Sequence, residues 1–180
     1  MTLRLAAMLV VGMALPARAH GQEIDESHVK AAFLYNFAKF VEWPSQTFKT
    51  PGDPILVCVL GRDPFRRALE EVIRGKSIDG RALGFRQVND AEQANACQIL
   101  FVSASQDKRY RSLLGNLKPA GILTIGEEQG FAASGGVINF KLDGGHVRFE
   151  INVDAAEHAR LQISSKLLSL AEIVRTEKLR

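Results

Sequence analysis

The two cysteines, Cys58 and Cys97, are the side chains whose chemistry depends most on where the protein resides. Each lies in or beside an apolar run that is typical of a strand. Reduced, they would be small core residues, whereas in an oxidising compartment an even pair without other ligands is expected to form a disulfide. The histidines show no CxxC or HxxxH spacing, so no metal site is predicted.

A hydrolytic site would need a nucleophile with a nearby base. Ser134 lies in the glycine-rich segment 130–136, and Asp143 and His146 follow it. The GxSxG pattern is absent, however, and paired acids such as Glu127-Glu128 are typical of solvated surfaces. The sequence therefore predicts no catalytic residues and no enzyme.

A possible anion site follows the apolar run 55–60, where Gly61-Arg62-Asp63-Pro64 precedes a helix. Free amides at a helix N-terminus bind phosphate groups. The segment lacks a phosphate-binding glycine motif, and the Asp63 carboxylate would itself occupy those amides as an N-cap. We interpret it as a structural turn and predict no cofactor.

The N-terminal residues predict export. One positive charge precedes an apolar run too short to span a bilayer, and Ala17 and Ala19 supply the small side chains of a cleavage site. We expect residues 1–19 to be a signal peptide and residues 20–180 to form one domain. Removal of Arg4 and Arg18 lowers the net charge from +3 to +1, and no basic block indicates nucleic-acid binding.

Beyond the signal peptide, the apolar pattern predicts alternating helices and strands. An amphipathic helix is expected over 27–42, ended by Trp43-Pro44. Further helices are expected around 65–74 and 110–117. Strands are predicted at 55–60, 82–88, 98–103 and 121–126. This order indicates an α/β fold, with a mostly parallel sheet flanked by helices on both faces.

The pattern changes to strict alternation in 137–142 and 147–153, which Asp143-Gly144-Gly145 joins. This predicts a C-terminal antiparallel hairpin at the sheet edge, with one face in solvent. The solvent face would carry His146, Arg148, Glu150 and Asn152. A final helix is expected to follow, and its apolar positions are Leu167, Leu170, Ala171 and Val174.

Two surfaces are candidates for partner binding. The first is the aromatic face of the 27–42 helix, which is mostly core but could in part contact a partner or a second copy. The second is the solvent face of the hairpin. We expect partner or ligand contacts at Glu150 first, at Arg148 and Arg160 next, and at Trp43 on the aromatic face.

Four segments closely resemble the YfiR-like family, in order, over nearly the whole mature chain. They are VKAAFLYNFAKFVEWP at 29–44, CVLGRDPF at 58–65, GF with GGVINF at 130–140, and VRFEIN at 147–152. The resemblance implies a periplasmic regulator with a cysteine pair at Cys58 and Cys97. One family member carries a second cysteine pair near the hairpin, whereas here no cysteine follows Cys97.

By resemblance, the protein is expected to inhibit an inner-membrane diguanylate cyclase of YfiN type and so to lower cyclic-di-GMP signalling, which controls biofilm formation and motility. An outer-membrane lipoprotein of YfiB type would sequester it, and a homodimer is expected. The alternative hypothesis is a periplasmic small-molecule binding module. Its cleft would lie at the carboxyl ends of the parallel strands, near Gly61, Ser103 and Gly126.

Overall fold

The computed structural model describes residues 26–61, 66–106, 109–118 and 120–176. The predicted signal peptide of residues 1–19 and the turn residues Arg62-Asp63-Pro64 lie outside the described residues. No helix within the described ranges combines the length and the apolar composition that crossing a membrane requires.

Helices and strands alternate through most of the described chain. The α-helices are α1 (Glu26–Lys39), α2 (Arg66–Ile73), α3 (Ala91–Ala94), α4 (Arg109–Asn116), α5 (Val153–His158) and α6 (Ser165–Leu168). The strands are β1 (Val41–Glu42), β2 (Ile55–Leu60), β3 (Ser77–Ile78), β4 (Arg81–Val88), β5 (Ile99–Val102), β6 (Leu123–Gly126), β7 (Ile138–Asp143), β8 (His146–Asn152), β9 (Gln162–Ile163) and β10 (Glu172–Val174).

The main sheet has the strand order β10-β8-β7-β6-β5-β2-β4-β3. Strands β4, β2, β5, β6 and β7 are parallel, whereas β3 and β8 pair antiparallel with β4 and β7. The predicted mostly parallel sheet is therefore confirmed. We call the side where β2, β5, β6 and β7 begin the amino-terminal edge, and the side where they end the carboxyl-terminal edge.

Apolar side chains fill both faces of this sheet, which confirms the prediction of helices on both. One core packs α1 and α2 against the sheet through Leu34, Phe37 and Leu69. The other includes Tyr110 and Leu113 of α4. Both faces are buried because the central strands carry consecutive apolar residues, as is typical of parallel strands.

Aromatic rings join α1 to the C-terminal hairpin. The ring centroids of Phe33 and Phe37 lie 5.6 and 4.9 Å from that of Phe149, and 6.3 and 5.6 Å from that of Phe140. Phe37 is fully buried. The aromatic face of α1 is therefore core packing at these positions, which is the interpretation that the sequence favoured.

The helix α1 ends at Lys39, and the prediction that Trp43-Pro44 ends it was wrong. Val41 and Glu42 instead form β1, which pairs antiparallel with Ile163 and Gln162 of β9. This pairing is a long-range contact, so the apolar periodicity of residues 27–42 could not indicate it. Pro44 lies beyond the short strand.

The hairpin is present, but it is not the sheet edge. Strand β10 pairs parallel with the last three residues of β8, with Ile173 opposite Ile151, and is the edge strand there. The same strand overturns the predicted terminal helix, because α6 spans only Ser165–Leu168 before the chain becomes extended. Backbone groups at the end of β8 thus gain partners that a helix could not supply.

The hairpin turn has the predicted glycines. Asp143 pairs with His146, so Gly144 and Gly145 form a two-residue loop, and both have positive φ angles of 56° and 80°. Such a turn matches the twist of the strands and favours glycine. The predicted solvent face is wrong at one position, since Asn152 is fully buried.

The cysteines form a disulfide between β2 and the segment that precedes β5. The Cα atoms of Cys58 and Cys97 lie 6.0 Å apart, and both residues are fully buried. The bridge connects positions 39 residues apart. It therefore links the middle of β2 to the segment between α3 and β5, at the amino-terminal edge of the sheet.

Candidate functional site

A cleft of about 630 Å³ opens at the carboxyl-terminal edge of the sheet. Ala104 and Glu127 line it just after the ends of β5 and β6, and Asn139, Lys141 and Glu150 of the hairpin complete the wall. It lies next to Ser103 and Gly126, where the alternative hypothesis expected a binding site. Gly61, which that hypothesis also named, does not line the cleft.

One side of the cleft is an ion pair between α1 and the segment after β6. The Lys30 Nζ atom donates one hydrogen bond of 2.7 Å to Glu127 Oε2 and pairs at 2.7 Å with Glu26 Oε1. The other Glu127 oxygen accepts the Ala104 backbone N–H at 3.1 Å. Burial lowers the pKa of Lys30, but hydrogen bonds and charges from Glu127 and Glu26 outweigh it, so the pKa is raised.

The opposite side is a second lysine held by two carboxylates. Lys141 Nζ lies 2.8 Å from Glu172 Oε2 and 3.0 Å from Glu150 Oε1. The hydrogen bond to Glu172, followed by that to Glu150, raises the pKa of Lys141. Strand β10 brings Glu172 to this position, so the terminal strand holds Lys141 from outside the cleft.

Asn139 lies between these pairs and is 3% exposed. Its Nδ2 group donates a long hydrogen bond of 3.4 Å to Glu150 Oε2. A carboxylate only accepts, so this contact orients the amide with Oδ1 pointing elsewhere. Among the described residues, that oxygen is buried without a hydrogen-bond donor. Such an unpaired polar atom costs on the order of 1–3 kcal/mol.

The structure places two of the predicted site residues on one surface. Glu150 and Arg148 are two residues apart on β8 and share a face. Arg148 is exposed and lies directly opposite Lys141, whereas the Glu150 side chain is 15% exposed and contacts Lys141 and Asn139. Glu150 thus connects the cleft to the exposed hairpin surface.

The other two predicted residues lie at the amino-terminal edge. The Trp43 indole Nε1 donates a 3.2 Å hydrogen bond to the carbonyl of Gln98, just before β5. Arg160 follows α5, next to Ala159, whose carbonyl accepts the N–H of Gly121 before β6. Four residues were predicted to bind partners or ligands, and the structure brings together Glu150 and Arg148 but not Trp43 and Arg160 with them.

Arg160 also has a backbone role that the sequence did not indicate. Its φ is +53°, and its N–H and that of Leu161 donate to the carbonyls of Glu157 and Ala156. These two hydrogen bonds form a Schellman motif, in which the left-handed residue is usually glycine. The exposed Arg160 side chain therefore stands on a strained C-terminal cap of α5.

The candidate hydrolytic residues do not form a site. Asn152 Nδ2 donates to the Ala132 carbonyl at 2.7 Å, which ties the 130–136 loop and Ser134 to the end of β8. Asp143 and His146 lie at the opposite end of that strand. A strand of this length spans roughly 20 Å, so Ser134 and His146 are far apart.

Sequence reasoning missed most of the cleft. The hairpin register, which the Gly144-Gly145 turn fixes, would have shown that Asn139 faces Glu150 and that Lys141 faces Arg148. No sequence signal indicated the contact between Lys30 and Glu127, which are separated by 97 residues. Glu127 was interpreted as a solvated surface acid, and that interpretation was wrong.

Comparison with solved structures shows the fold. A conserved domain protein from Vibrio cholerae O1 biovar El Tor is 11% identical with a TM-score of 0.56, and the match covers 82% of this chain and 59% of that one. The ABC domain from Streptococcus pneumonia in complex with L-Trp is 8% identical with a TM-score of 0.53, covering 82% and 60%. This chain thus spans about three fifths of the length of each.

No curated protein matches the chain. The family whose description is YfiR/HmsC-like matches residues 27–172, which includes α1, both strands of the hairpin and the first residue of β10. The match therefore covers all the elements that form the cleft. The chain belongs to the YfiR/HmsC-like family.

Proposed function

We propose that this protein is a periplasmic inhibitor that binds the periplasmic domain of an inner-membrane diguanylate cyclase of YfiN type and lowers cyclic-di-GMP synthesis. Family membership over residues 27–172 carries the proposal, because the family fits regulation of cyclic-di-GMP signalling from the periplasm rather than catalysis. Inhibition requires that the protein bind the inactive state of the cyclase more tightly than the active state.

The hairpin surface around Glu150 and Arg148 is the proposed contact. Its charged groups are fixed rather than mobile, since Glu150 is held by Lys141 and Asn139. Arg148 next to it is exposed and supplies a positive charge. Preorganised charges of both signs favour a specific partner over nonspecific association.

Substitution of Glu150 tests this contact. In a strain with a YfiN-like cyclase, we expect Glu150→Ala to raise cellular cyclic-di-GMP several-fold, towards the level of the deletion strain. Glu172→Ala is the matched control, because it also removes one carboxylate from Lys141. Glu172 lies on β10 and not on the proposed contact surface of β8. Unchanged cyclic-di-GMP in the deletion strain itself would overturn the proposed function.

Arg160 provides a second test. Arg160→Gly removes the guanidinium and relieves the positive φ angle, so we expect the unfolding free energy to rise by about 1 kcal/mol. A variant that is more stable and yet fails to inhibit would assign Arg160 to the partner interface. If the variant inhibits as strongly as the original protein, the Arg160 side chain is not part of the partner interface, and the residue serves only as the C-cap of α5.

Export, partners and assembly complete the proposal. We propose that residues 1–19 are removed after Ala19, that a YfiB-like lipoprotein sequesters the mature protein, and that the protein is a homodimer. N-terminal sequencing of the periplasmic fraction tests the cleavage site. Light scattering of the purified protein tests the dimer, and pull-down with the lipoprotein tests sequestration.

A further inference from the structure

Strand β10 ends the main sheet with backbone groups that point away from it. The Asn152 N–H donates to the Val137 carbonyl, so Asn152 directs its backbone groups towards β7. Backbone groups alternate in direction along a strand, so those of Ile151 point towards β10 and bond to the neighbours of Ile173. The N–H and carbonyl of Ile173 itself point outwards. Since β10 is the last strand of the sheet in the described part of the chain, we call this the open side of β10.

Ile173 is also the exposed end of a row of apolar side chains that crosses the sheet. Residues in register on neighbouring strands point to the same face of a sheet. From β6 to β10, the row consists of Ile125, Ile138, Ile151 and Ile173. The first three are fully buried in the core that contains α1, whereas Ile173 is 47% exposed. An apolar group placed beside Ile173 would therefore extend this core.

The opposite end of the sheet is protected against pairing. Strand β3 has only two residues and directly follows Lys76, and its one apolar side chain, Ile78, is buried. Very short edge strands and lysines hinder the addition of another strand. Strand β10 contains no lysine or proline, and Leu170 just before it is exposed as well. The open side of β10 thus has the properties of a pairing surface.

The charges on and next to β10 are neutralised within the chain. Glu172 pairs with Lys141, and Arg175 pairs with Asp154. A strand that adds to the open side therefore needs no countercharge. It should be short and apolar at its centre, and β10 itself has these properties.

A second copy of β10 fits this side by symmetry. In an antiparallel pair with a two-fold axis at Ile173, the Ile173 residues of the two copies lie opposite each other and exchange two backbone hydrogen bonds. Glu172 of each copy then lies opposite Val174 of the other. No two like charges are directly opposite, so the pair lacks the repulsion that would oppose self-association.

We propose that the protein dimerises by antiparallel pairing of β10 with β10 of a second copy, about a two-fold axis at Ile173. The pairing joins the two eight-stranded sheets and makes the apolar row continuous through both cores. This inference rests on the homodimer of the proposed function, whose interface it specifies, and not on inhibition of a cyclase.

Cysteine cross-linking tests the pairing. Cys58 and Cys97 are bonded to each other, so Ile173→Cys supplies a free thiol that has no partner within its own chain. Opposite residues in a hydrogen-bonded antiparallel pair have Cα atoms about 5.5 Å apart, which a disulfide can bridge. With oxidised glutathione as the oxidant, we expect Ile173→Cys to form a linked dimer at least tenfold faster than Leu142→Cys. Leu142 is the matched control, because it is more exposed but lies at the hairpin turn. Equal rates would overturn the proposal.

A charge substitution tests the same interface without an introduced thiol. We expect Ile173→Lys to raise the dissociation constant of the dimer at least tenfold, because two like charges would lie opposite each other. Light scattering over a concentration series measures this constant. Leu142→Lys is the matched control and should dimerise as the original protein does. Circular dichroism establishes that each variant is folded. A dimer that Ile173→Lys does not weaken would overturn the proposal.

Hydrogen exchange of the original protein keeps the test valid if a variant fails to fold. We expect exchange of the Ile173 N–H to slow at least tenfold as the protein concentration rises through the dissociation constant. An unchanged exchange rate in a dimeric sample would overturn this interface and leave the homodimer intact. A protein that stays monomeric at millimolar concentration would contradict both. Cyclic-di-GMP measurements in the deletion strain test inhibition separately.

Discussion

Two asparagines, Asn152 and Asn139, are buried on the same face of the hairpin but have opposite hydrogen-bonding environments. The Asn152 side chain accepts the Ala155 N–H at 3.0 Å as the N-cap of α5, and donates to the Ala132 carbonyl and to Thr176. The Asn139 side chain makes one 3.4 Å hydrogen bond, and its oxygen has no donor in the described part of the chain.

The difference follows the two edges of the sheet. At the amino-terminal edge, Asn152, Trp43 and Gln98 tie loops and short helices to strand ends. At the carboxyl-terminal edge, Asn139 borders an open cleft between ion pairs. Buried polar groups that are fully paired stabilise a fold, whereas an unpaired one lowers its stability. The buried amide is therefore a stabilising group at the amino-terminal edge and an unsatisfied one at the carboxyl-terminal edge.

Removal of the disulfide should have the largest effect. In the Cys58→Ala/Cys97→Ala double variant, the 39-residue loop is no longer closed, and the free energy of unfolding should fall by about 4 kcal/mol. Urea denaturation of the oxidised protein and the double variant measures this change. Equal stability would show that the bridge does not brace the amino-terminal edge.

The asparagines themselves give the second prediction. Asn152→Ala removes the cap of α5 and leaves the buried Ala132 carbonyl without its side-chain donor, so unfolding free energy should fall by roughly 2–4 kcal/mol. Asn139→Ala also removes the unpaired oxygen and should cost less than about 1 kcal/mol. Urea denaturation of both variants compares them. Equal losses of unfolding free energy in the two variants would show that the two asparagines do not differ in their contribution to stability.

Lys30 gives the third prediction, at the carboxyl-terminal edge. Lys30→Gln should lower the unfolding free energy by about 1.5 kcal/mol at pH 7, since it removes a charged hydrogen bond to Glu127. The pKa of Lys30 in the folded protein is above its ordinary value of 10.5, so this contribution is present below pH 10.5 and is lost as the pH rises through the folded pKa. Urea denaturation between pH 7 and 11.5 measures the difference in unfolding free energy between the original protein and Lys30→Gln, which should become smaller as the pH rises. The exposed Lys166→Gln variant is the control.

Asp53 gives the smallest expected effect, at the amino-terminal edge. Hydrogen bonds from the Thr50 hydroxyl, and then from the Thr50 and Lys49 backbone, lower the pKa of Asp53. Its contribution is present above its ordinary pKa of 3.8 and is lost as the pH falls through the lower folded pKa.

Asp53→Asn should therefore reduce the fall in Tm between pH 5 and pH 2. Thermal melts of the variant and of the exposed control Glu157→Gln test this expectation. An unchanged acid profile in Asp53→Asn would remove Asp53 from the set of interactions that stabilise the amino-terminal edge.

Much of the fold could be predicted because local signals agreed with the tertiary structure. The predicted bounds of β2 and the predicted end of α2 near Gly75 were close to those observed. Strand burial and helix termination both depend mainly on residues that are close in sequence. The Gly144-Gly145 turn likewise fixed the hairpin register. The same local logic failed for the C-terminal segment, where four apolar positions at helical spacing predicted one helix.

The reason for that failure is that β10 is stabilised by a strand distant in sequence. Backbone pairing with β8, together with the contacts of Glu172 with Lys141 and of Arg175 with Asp154, favours the extended conformation at Glu172–Val174. Local propensity cannot include such partners.

The sequence by itself determined the family, the cysteine pair and the alternation of strands and helices, because each depends on residue types at short or fixed spacing. The export signal stays a prediction. Only the tertiary structure decided that Asn152 is satisfied and Asn139 is not, and that Lys30 reaches Glu127. Those outcomes depend on which backbone and side-chain groups, distant in sequence, contact each other at each edge of the sheet. A local sequence pattern does not predict such contacts.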